Sequence, residues 1–161
     1  MKIQGITPHL VVEGGPEAIA FYVKALGAVE HFRMPSPDGK KIWHATLGIG
    51  PAHFHLVDAF PEMGGNPGPK SLGGSPVVID IASDDCDALF AQAIEAGAEP
   101  VMPPEDMFWG DRYAKFNDPF GHSWSISTPK EHLTREQMTE RGKEAAAAMA
   151  SKSCAEAGQL V

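Results

Sequence analysis

The residues best suited to chemistry are polar side chains that alternate with apolar ones along extended segments. His9, His44 and His55 follow this pattern in the first half of the chain, and Asp80 and Ser125 follow it in the second half. Successive side chains of a strand point to opposite faces, so these groups should share one face of a sheet. Imidazole, carboxylate and hydroxyl groups can orient a ligand, transfer protons or coordinate a metal ion. The pattern predicts a polar face that lines a ligand cavity, and an ordinary solvated face is the alternative.

The segments that must position these groups are short strands and two amphipathic helices. The predicted strands with one polar face cover residues 6–12, 42–49, 53–57, 77–82 and 123–127. The first helix carries apolar residues at helical spacing, and the second repeats this pattern about seventy residues later. The apolar positions are Ile19, Tyr22, Val23 and Leu26 in the first helix and Leu89, Phe90, Ala93 and Ile94 in the second. A left-handed glycine, Gly27 or Gly97, is expected to end each helix.

The two helices are parts of a unit that is present twice. Residues 19–28 and 89–98 end in nearly the same pattern, and each helix follows a strand and precedes further extended segments. The unit is therefore strand, helix, strand, strand, strand, and two copies are too few for a solenoid. We predict an α+β protein in which two tandem βαβββ modules form a cupped mixed sheet. Its predicted parts are a first module (1–60), a linker (61–76), a second module (77–128) and a C-terminal tail helix (129–161).

The linker and the tail have distinct compositions. Residues 61–76 are rich in glycine and proline, which predicts neither a helix nor a central strand there. In the tail, Thr134 and Gln137 have the spacing of a capping box, and the alanine-rich residues 135–157 favour a helix. We expect this helix to pack along a sheet edge or on a partner subunit, and the alternative is that it frays toward Gly158.

Composition excludes several classes of function. The formal net charge of the 161 residues is −8, and lysine and arginine do not cluster, which argues against nucleic-acid and anionic-membrane partners. Residues 1–12 resemble neither a signal sequence nor a membrane span, so we expect a cytosolic protein. Cys86 and Cys154 lack Cys-x-x-Cys spacing, and we predict neither a disulfide nor a thiolate zinc site.

Trp109 and Arg112 add a second candidate contact region. They follow a loop, residues 103–108, that contains Met107 and Phe108. The indole could stack on a flat ligand, and the guanidinium could bind a carboxylate or a phosphate. In the alternative, Trp109 belongs to the core and Arg112 pairs with Asp106 or Asp111. The Asp-Pro-Phe-Gly turn at 118–121 is predicted to be structural, and the neighbouring His122 is expected at the surface.

The chain resembles the vicinal oxygen chelate superfamily, also called the glyoxalase/bleomycin-resistance/dioxygenase superfamily, and within it the PhnB-like branch. The segments that carry the resemblance are residues 21–28, 32–35, 61–64, 71–76, 109–112 and 118–124. Together they indicate a likeness over about residues 4–128. The resemblance implies paired modules around a cupped sheet. It does not fix the reaction, because members include lyases, dioxygenases and metal-free drug-binding proteins.

In metal-dependent members of this superfamily, each of four strands supplies one ligand. Against a glyoxalase-I-like member these positions fall on Thr7, His55, Val78 and Ser125. Only His55 is a good ligand, because valine has no donor and hydroxyls bind such metals poorly. The resemblance therefore implies that the inherited metal site is lost.

Three functions follow from these residues. The leading one is a metal-independent small-molecule-binding protein of the sequestration or resistance type, which binds a small aromatic or polar ligand. Its predicted ligand contacts are His9, His44, His55, Asp80, Trp109, Arg112 and Ser125. The first alternative is a lyase, isomerase or dioxygenase with a relocated divalent metal held by His9, His55 and Asp80, with His44 or His53 as further candidates. The second alternative is an acid/base enzyme that uses His9 with Asp80.

Other catalytic arrangements are disfavoured, and a dimer is expected. Ser123 and Ser125 lie within a strand without a strained elbow, which argues against a hydrolase. Residues 14–16 could attract an anion at a helix start but lack phosphate-loop spacing. Because each module leaves open sheet edges, we predict a homodimer whose cups are completed across the interface or covered by the partner's linker and tail helix.

Overall fold

The computed structural model describes the backbone of residues 2–157 and the side chains of residues 2–151. The first module contains β1 (His9–Val12), α1 (Gly15–Leu26), β2 (Val29–Pro35), β3 (Ile42–Ile49) and β4 (Ala52–Asp58). A single 3-10 turn (Pro61–Met63) and the one-turn helix α2 (Pro69–Leu72) follow. The second module contains β5 (Val78–Ala82), α3 (Cys86–Glu95), β6 (Glu99–Asp106), β7 (Asp111–Asn117) and β8 (Ser123–Pro129). The last helix is α4 (Arg135–Ala157).

Each module folds into its own four-stranded mixed sheet. The strand orders are β1-β4-β3-β2 and β5-β8-β7-β6. In both sheets the first strand runs parallel to the last one, and the other neighbours are antiparallel. The two sheets have the same topology, which confirms the predicted α+β fold of two βαβββ units followed by a C-terminal helix.

The first helix begins on a carboxylate from its own module. One oxygen of Asp58, at the end of β4, accepts the backbone N–H groups of Gly14 and Gly15 at 2.9 Å each. Its other oxygen accepts the N–H of Ile42 at 2.6 Å. The anion that this helix start could attract is therefore the chain's own buried Asp58. Helix α3 is capped by Asp85, whose side chain accepts the N–H of Ala88 at 2.9 Å.

A continuous apolar core joins the two modules. Tyr22 of α1 is fully buried, and its ring lies 5.3 Å from Phe54 of β4 and 5.6 Å from Trp124 of β8. Next to these rings, the buried carboxylate of Asp118 accepts hydrogen bonds from the Tyr22 hydroxyl at 2.6 Å and from the Trp124 indole at 2.8 Å. The modules are thus held together both by burial of aromatic rings and by a shared buried acceptor.

Alternation in the predicted strands 6–12, 42–49 and 77–82 places Ile6, Trp43 and Val77 on the apolar, core-facing side, and the structure shows that all three are exposed. Val77, 63% exposed, precedes the first residue of β5. Ile6 is 95% exposed, because pairing of β1 with β4 begins only at Pro8 and His9. Trp43 is 41% exposed, because the pairing of β2 with β3 shifts there so that Pro35 opposes Ile42. Ile42 takes the core position and is 1% exposed. A bulge of this kind reverses which residues face the core.

Two further expectations also need correction. His122 is buried rather than at the surface, and its ring Nε2–H donates to the carbonyl of Val11 at 2.9 Å. The linker does form helical turns, at Pro61–Met63 and Pro69–Leu72. Each begins with a proline in its first turn, where the missing N–H costs nothing, and stops after one turn at a left-handed glycine.

The tail forms the predicted helix. Thr134 and Gln137 make the reciprocal hydrogen bonds of a capping box, at 2.9 and 3.2 Å. Phe108 lies over Gly142, which places the helix against the loop before β7. None of the described helices combines the length and the apolar character that crossing a membrane requires.

Candidate functional site

Three histidines of the first sheet lie together on the face that points away from its helix. His9 of β1 and His55 of β4 are direct neighbours in the parallel ladder, and His44 projects from β3. Their ring centroids are 5.7 Å apart for His9 and His44, 5.6 Å for His9 and His55, and 4.7 Å for His44 and His55. We call these three residues the imidazole cluster. The strands bring them together as predicted, because polar and buried residues alternate along β1, β3 and β4.

Burial and mutual proximity lower the pKa values of two rings of the cluster. Partial burial, followed by the charges that His55 and His44 would carry, lowers the pKa of His9. Partial burial, followed by the charges of His44 and His53, lowers the pKa of His55. Both effects disfavour the imidazolium form. At neutral pH, the rings of His9 and His55 therefore each offer one donor nitrogen and one acceptor nitrogen.

The cluster has few hydrogen-bond partners of its own. The hydroxyl of Thr46 lies 3.5 Å from Nε2 of His44, which is at the limit of a hydrogen bond. Within the described residues, no group hydrogen-bonds the rings of His9 and His55. Phe32 of β2 borders the cluster, with its ring 6.2 Å from that of His44, and it is 51% exposed. Sequence reasoning gave Phe32 no role. Its place next to His44 depends on the bulged register of β2, which periodicity does not reveal.

The linker covers one side of the cluster. A cavity of about 210 Å³ has His9, Val11 and Val57 on the sheet side and Phe60, Gly65 and Asn66 on the linker side. The carbonyl of Phe60 accepts the N–H groups of Met63 and Gly65 at 3.0 Å each, which fixes this turn of the linker. His9 therefore borders a pocket between the first sheet and the linker, while its side chain remains accessible to solvent.

The open face of the second sheet carries Asp80 and a row of hydroxyls. The carboxylate of Asp80 accepts hydrogen bonds from Ser125 at 2.6 Å and from Ser127 at 2.9 Å. Ser125 and Ser127 oppose Lys115 and Tyr113 of β7 in the antiparallel ladder, so these side chains share the face. Lys115 and Tyr113 were missed, although their alternation with the buried Ala114 and Phe116 could have indicated them.

Trp109 belongs to this second face. Its ring is partly exposed and lies 5.0 Å from Phe108 and 5.5 Å from Tyr113. Tyr113 opposes Ser127, which donates to Asp80, so the indole is linked to the Asp80 side. Within the described residues, the ring of Trp109 makes no close contact with the rings of His9, His44 or His55. The structure thus divides the predicted contacts between two faces.

Arg112 is held by two carboxylates. Its Nε and Nη2 donate to Asp87 at 2.7 Å each, and its Nη1 donates to Asp106 at 3.1 Å. The hydrogen bonds to Asp87 and Asp106 raise the pKa of Arg112. The alternative role that the sequence offered, an ion pair with Asp106, is present. The bidentate pair with Asp87 on α3 was not anticipated.

The residues present do not fit the metal site that the superfamily implies. Among the described side chains, those of residues 2–151, there is no group of three histidine, cysteine, aspartate or glutamate residues that could hold a metal ion. At the four inherited positions, Val78 has no donor atom, and the Ser125 hydroxyl is already engaged as a donor to Asp80. Asp80, a ligand of the relocated set, is in turn bound by two serines. One imidazole among four positions is too few for a divalent cation.

Comparisons with known proteins agree with this fold. An uncharacterized protein of Mycobacterium tuberculosis is 47% identical over 135 residues, which are 83% of this chain and 79% of that protein. The X-ray structure of an Arabidopsis thaliana gene product has a TM-score of 0.64 at 28% identity and covers 78% of this chain and 99% of that one. The PhnB protein of Bacillus cereus has a TM-score of 0.62 at 18% identity, covers 78% and 99% of the two chains, and shows the fold alone.

The match to a protein family spans both modules. Residues 3–126 match the family described as the Glyoxalase/Bleomycin resistance protein/Dioxygenase superfamily. This range includes every strand from β1 to β7 and most of β8, as the resemblance of the sequence motifs implied. The chain therefore belongs to the glyoxalase/bleomycin resistance protein/dioxygenase superfamily, and a PhnB protein is among its structural neighbours.

Proposed function

We propose that this chain is a metal-independent small-molecule-binding protein, of the sequestration or resistance type, whose ligand contacts the imidazole cluster. The observation that carries the proposal is the pair His9 and His55. These two neighbouring rings have lowered pKa values, and in the described part of the chain no group hydrogen-bonds them. Polar groups that are clustered and have no partner within the protein can bind a ligand without breaking a hydrogen bond between protein groups.

The chemistry of the cluster defines the ligand that we propose. The neutral rings of His9 and His55, with the ring of His44 beside them, present donor and acceptor nitrogens that complement a molecule with a polar edge. Phe32 supplies an exposed aromatic surface next to His44, which suits a flat, partly aromatic molecule. The cavity of about 210 Å³ beside His9 could hold one small substituent of that molecule.

The second face would contribute the remaining contacts. Ser125 and Asp80 form a polar surface, and Trp109 with Tyr113 forms an aromatic one. Both surfaces suit the same flat polar ligand. Arg112 would act indirectly in this arrangement, because its guanidinium is committed to Asp87 and Asp106.

What supports metal independence is the set of available donors. A lyase, isomerase or dioxygenase of this superfamily would need three or four strong ligands at one point. Among the described side chains, the three rings of the imidazole cluster do not converge as a group that could hold a metal ion. Ser125 and Val78 add no strong ligand, and Asp80 accepts hydrogen bonds from Ser125 and Ser127. We therefore propose binding rather than metal-assisted turnover.

We further propose that the protein acts as a homodimer in the cytosol. Three apolar side chains of the edge strand β2 and of the start of β3 are exposed, namely Val29 (58%), Met34 (43%) and Trp43 (41%). Exposed apolar side chains at a sheet edge form an association surface that a second copy would cover. Sedimentation velocity over a hundredfold range of concentration tests this assembly. A constant monomer mass would contradict it.

Binding at the cluster can be tested by mapping. Aromatic metabolites and antibiotics are screened against the full-length protein by calorimetry, and each hit is followed through the imidazole NMR signals. We expect the ring nitrogens of His9, His44 and His55 to shift on binding, while His132, an exposed residue before α4, stays unchanged. A hit that leaves the three cluster rings unmoved would overturn the location that we propose.

A further inference from the structure

A second cavity lies between the two modules, away from the imidazole cluster. It has a volume of about 540 Å³, and its walls come from the turn between β3 and β4 and from strand β5. Ile49 and Phe54 line it on the first module, and Ile79, Ile81 and Trp124 line it on the second. Its size and its mainly apolar lining are those of small-molecule sites in proteins. It shares no residue with the imidazole cluster.

One charged group stands at the edge of this cleft. Asp80 is the only acidic residue in the lining, and His53 is the only other titratable one. Ser125, which is 2% exposed, and Ser127 each donate a hydrogen bond to one oxygen of Asp80, so the carboxylate is held in a fixed orientation. The hydroxyl of Thr7 lies 3.4 Å from His53 and orients that ring.

The negative charge of Asp80 is not compensated within the described residues. No lysine or arginine there makes an ion pair with it. The nearest cation on its own face in the strand order, Lys115, lies two strands away across β8. A carboxylate that is oriented by hydroxyl donors and borders an apolar cavity complements a cation carried on an apolar body. The formal net charge of −8 adds a long-range attraction for such a molecule.

We propose that this cleft is a binding site for amphiphilic amines, meaning molecules with an apolar or aromatic body and one protonated amine that pairs with Asp80. The body would occupy the space between Phe54, Ile79 and Trp124. This site goes beyond the proposed function. It shares Asp80 with the second face, but it lies in the gap between the modules, contains none of the three cluster histidines and selects a cation rather than a flat polar edge.

The test compares three probes of one shape on the full-length protein: 3-phenylpropylamine, 3-phenylpropan-1-ol and 3-phenylpropanoate. Calorimetry should show that the amine binds at least tenfold more tightly than the alcohol and that the carboxylate binds most weakly. The methyl signals of Ile79 and Ile81 should shift when the amine is added. Equal affinity for the three probes, or shifts confined to the imidazole cluster, would overturn the proposal.

Two variants and two matched controls locate the contacts. Asp80→Asn should weaken amine binding at least tenfold and leave alcohol binding unchanged, whereas Asp84→Asn, an exposed acid outside the cleft, should change neither. Ala82→Leu narrows the cleft and should abolish binding of both probes, whereas Ala88→Leu on the exposed side of α3 should not. If the amine does not bind and the cleft methyls are instead perturbed by protein concentration, the occupant is a second copy and the proposal fails.

His55→Ala separates this site from the proposed function. That variant should lose the ligand of the imidazole cluster and keep the amine, because His55 does not line the cleft. Loss of both ligands on His55→Ala would contradict a separate site.

Discussion

The hydroxyl of Tyr22 on α1 donates a hydrogen bond of 2.6 Å to the carboxylate of Asp118, which lies 96 residues later in the turn before β8. Asp118 also accepts from the Trp124 indole and from the backbone N–H groups of Phe120 and His122. Burial and the neighbouring Asp118 raise the pKa of Tyr22 well above its usual value, so the phenol is protonated and remains a donor at neutral pH. One carboxylate thus links the first helix to the second sheet.

Removing this link should destabilise the whole chain. Tyr22→Phe keeps the buried ring and deletes only the hydroxyl, and we expect a loss of about 1.5–3 kcal/mol in the free energy of unfolding, as for hydrogen bonds to charged groups. Urea denaturation followed by circular dichroism gives this value. Tyr113→Phe is the matched control, because Tyr113 is only partly buried and should change stability by less than about 0.5 kcal/mol. Equal effects of the two substitutions would show that Asp118 does not depend on Tyr22.

The start of α1 offers a second test of the fold. A Cβ at Gly15 would overlap the side chains of Asp58 and Ile42, while one at Gly5 would have no neighbour within 4 Å. Gly15→Ala should therefore cost at least about 1–3 kcal/mol, because the core around it is already filled. Gly5→Ala should be close to neutral. A comparison of the two melting temperatures decides this, and a stable Gly15→Ala protein would refute the close approach of Asp58.

Much of the fold could be predicted because periodicity reports burial directly. The alternation in residues 42–49 gave β3 its observed bounds, and the glycine after Leu26 ended α1 where expected. Ile6 and Trp43 were misplaced for reasons that are not local. Whether Ile6 enters the sheet depends on where β4 begins to pair with β1. Whether Trp43 faces the core depends on a bulge in β3 opposite β2. Such register effects are set by the partner strand.

The sequence predicted which strand face carries the three histidines of the candidate site, but it did not predict that the other candidate residues lie on a second sheet. Alternation correctly placed His9, His44 and His55 on one face, because all three belong to neighbouring strands of one sheet. Alternation could not show that Asp80 and Trp109 lie on the face of the other sheet. It assigns each side chain to one face of its own strand, and it contains no information on how two sheets are arranged. The bidentate pairing of Arg112 with Asp87 was equally hidden, because it joins β7 to the start of α3.

The imidazole cluster should make stability depend on pH. The pKa values of His9 and His55 are lowered in the folded state, so between those values and about 6.5 the unfolded chain binds more protons. Stability is then fully present above about pH 6.5 and falls as the pH decreases below it. Urea midpoints between pH 5 and 8 measure this slope, which His55→Gln should flatten. His132→Gln, outside the cluster, should leave the slope unchanged. A slope that His55→Gln does not alter would contradict the coupling of the rings.

Trp109 should contribute to binding if the second face contacts the ligand. An indole that stacks on an aromatic ligand contributes about 1–3 kcal/mol, so Trp109→Ala should weaken a hit at least tenfold, or about 1.4 kcal/mol. Calorimetry gives the affinity, and circular dichroism checks that the fold is retained. Ile3→Ala removes an apolar side chain that is 81% exposed and lies outside the helices and strands, and it serves as the control. Unchanged affinity in Trp109→Ala would restrict the site to the imidazole cluster.

The central claim is that the imidazole cluster binds a small molecule without a metal ion. The most direct measurement is the dissociation constant of the best hit for protein that was purified without metal-affinity resin and analysed for its metal content. We expect far less than one equivalent of zinc, nickel, iron or manganese, the same affinity with and without a chelator, and at least a tenfold loss in His55→Ala. About one equivalent of metal that disappears in His55→Ala, together with binding that a chelator abolishes and added metal restores, would contradict the claim.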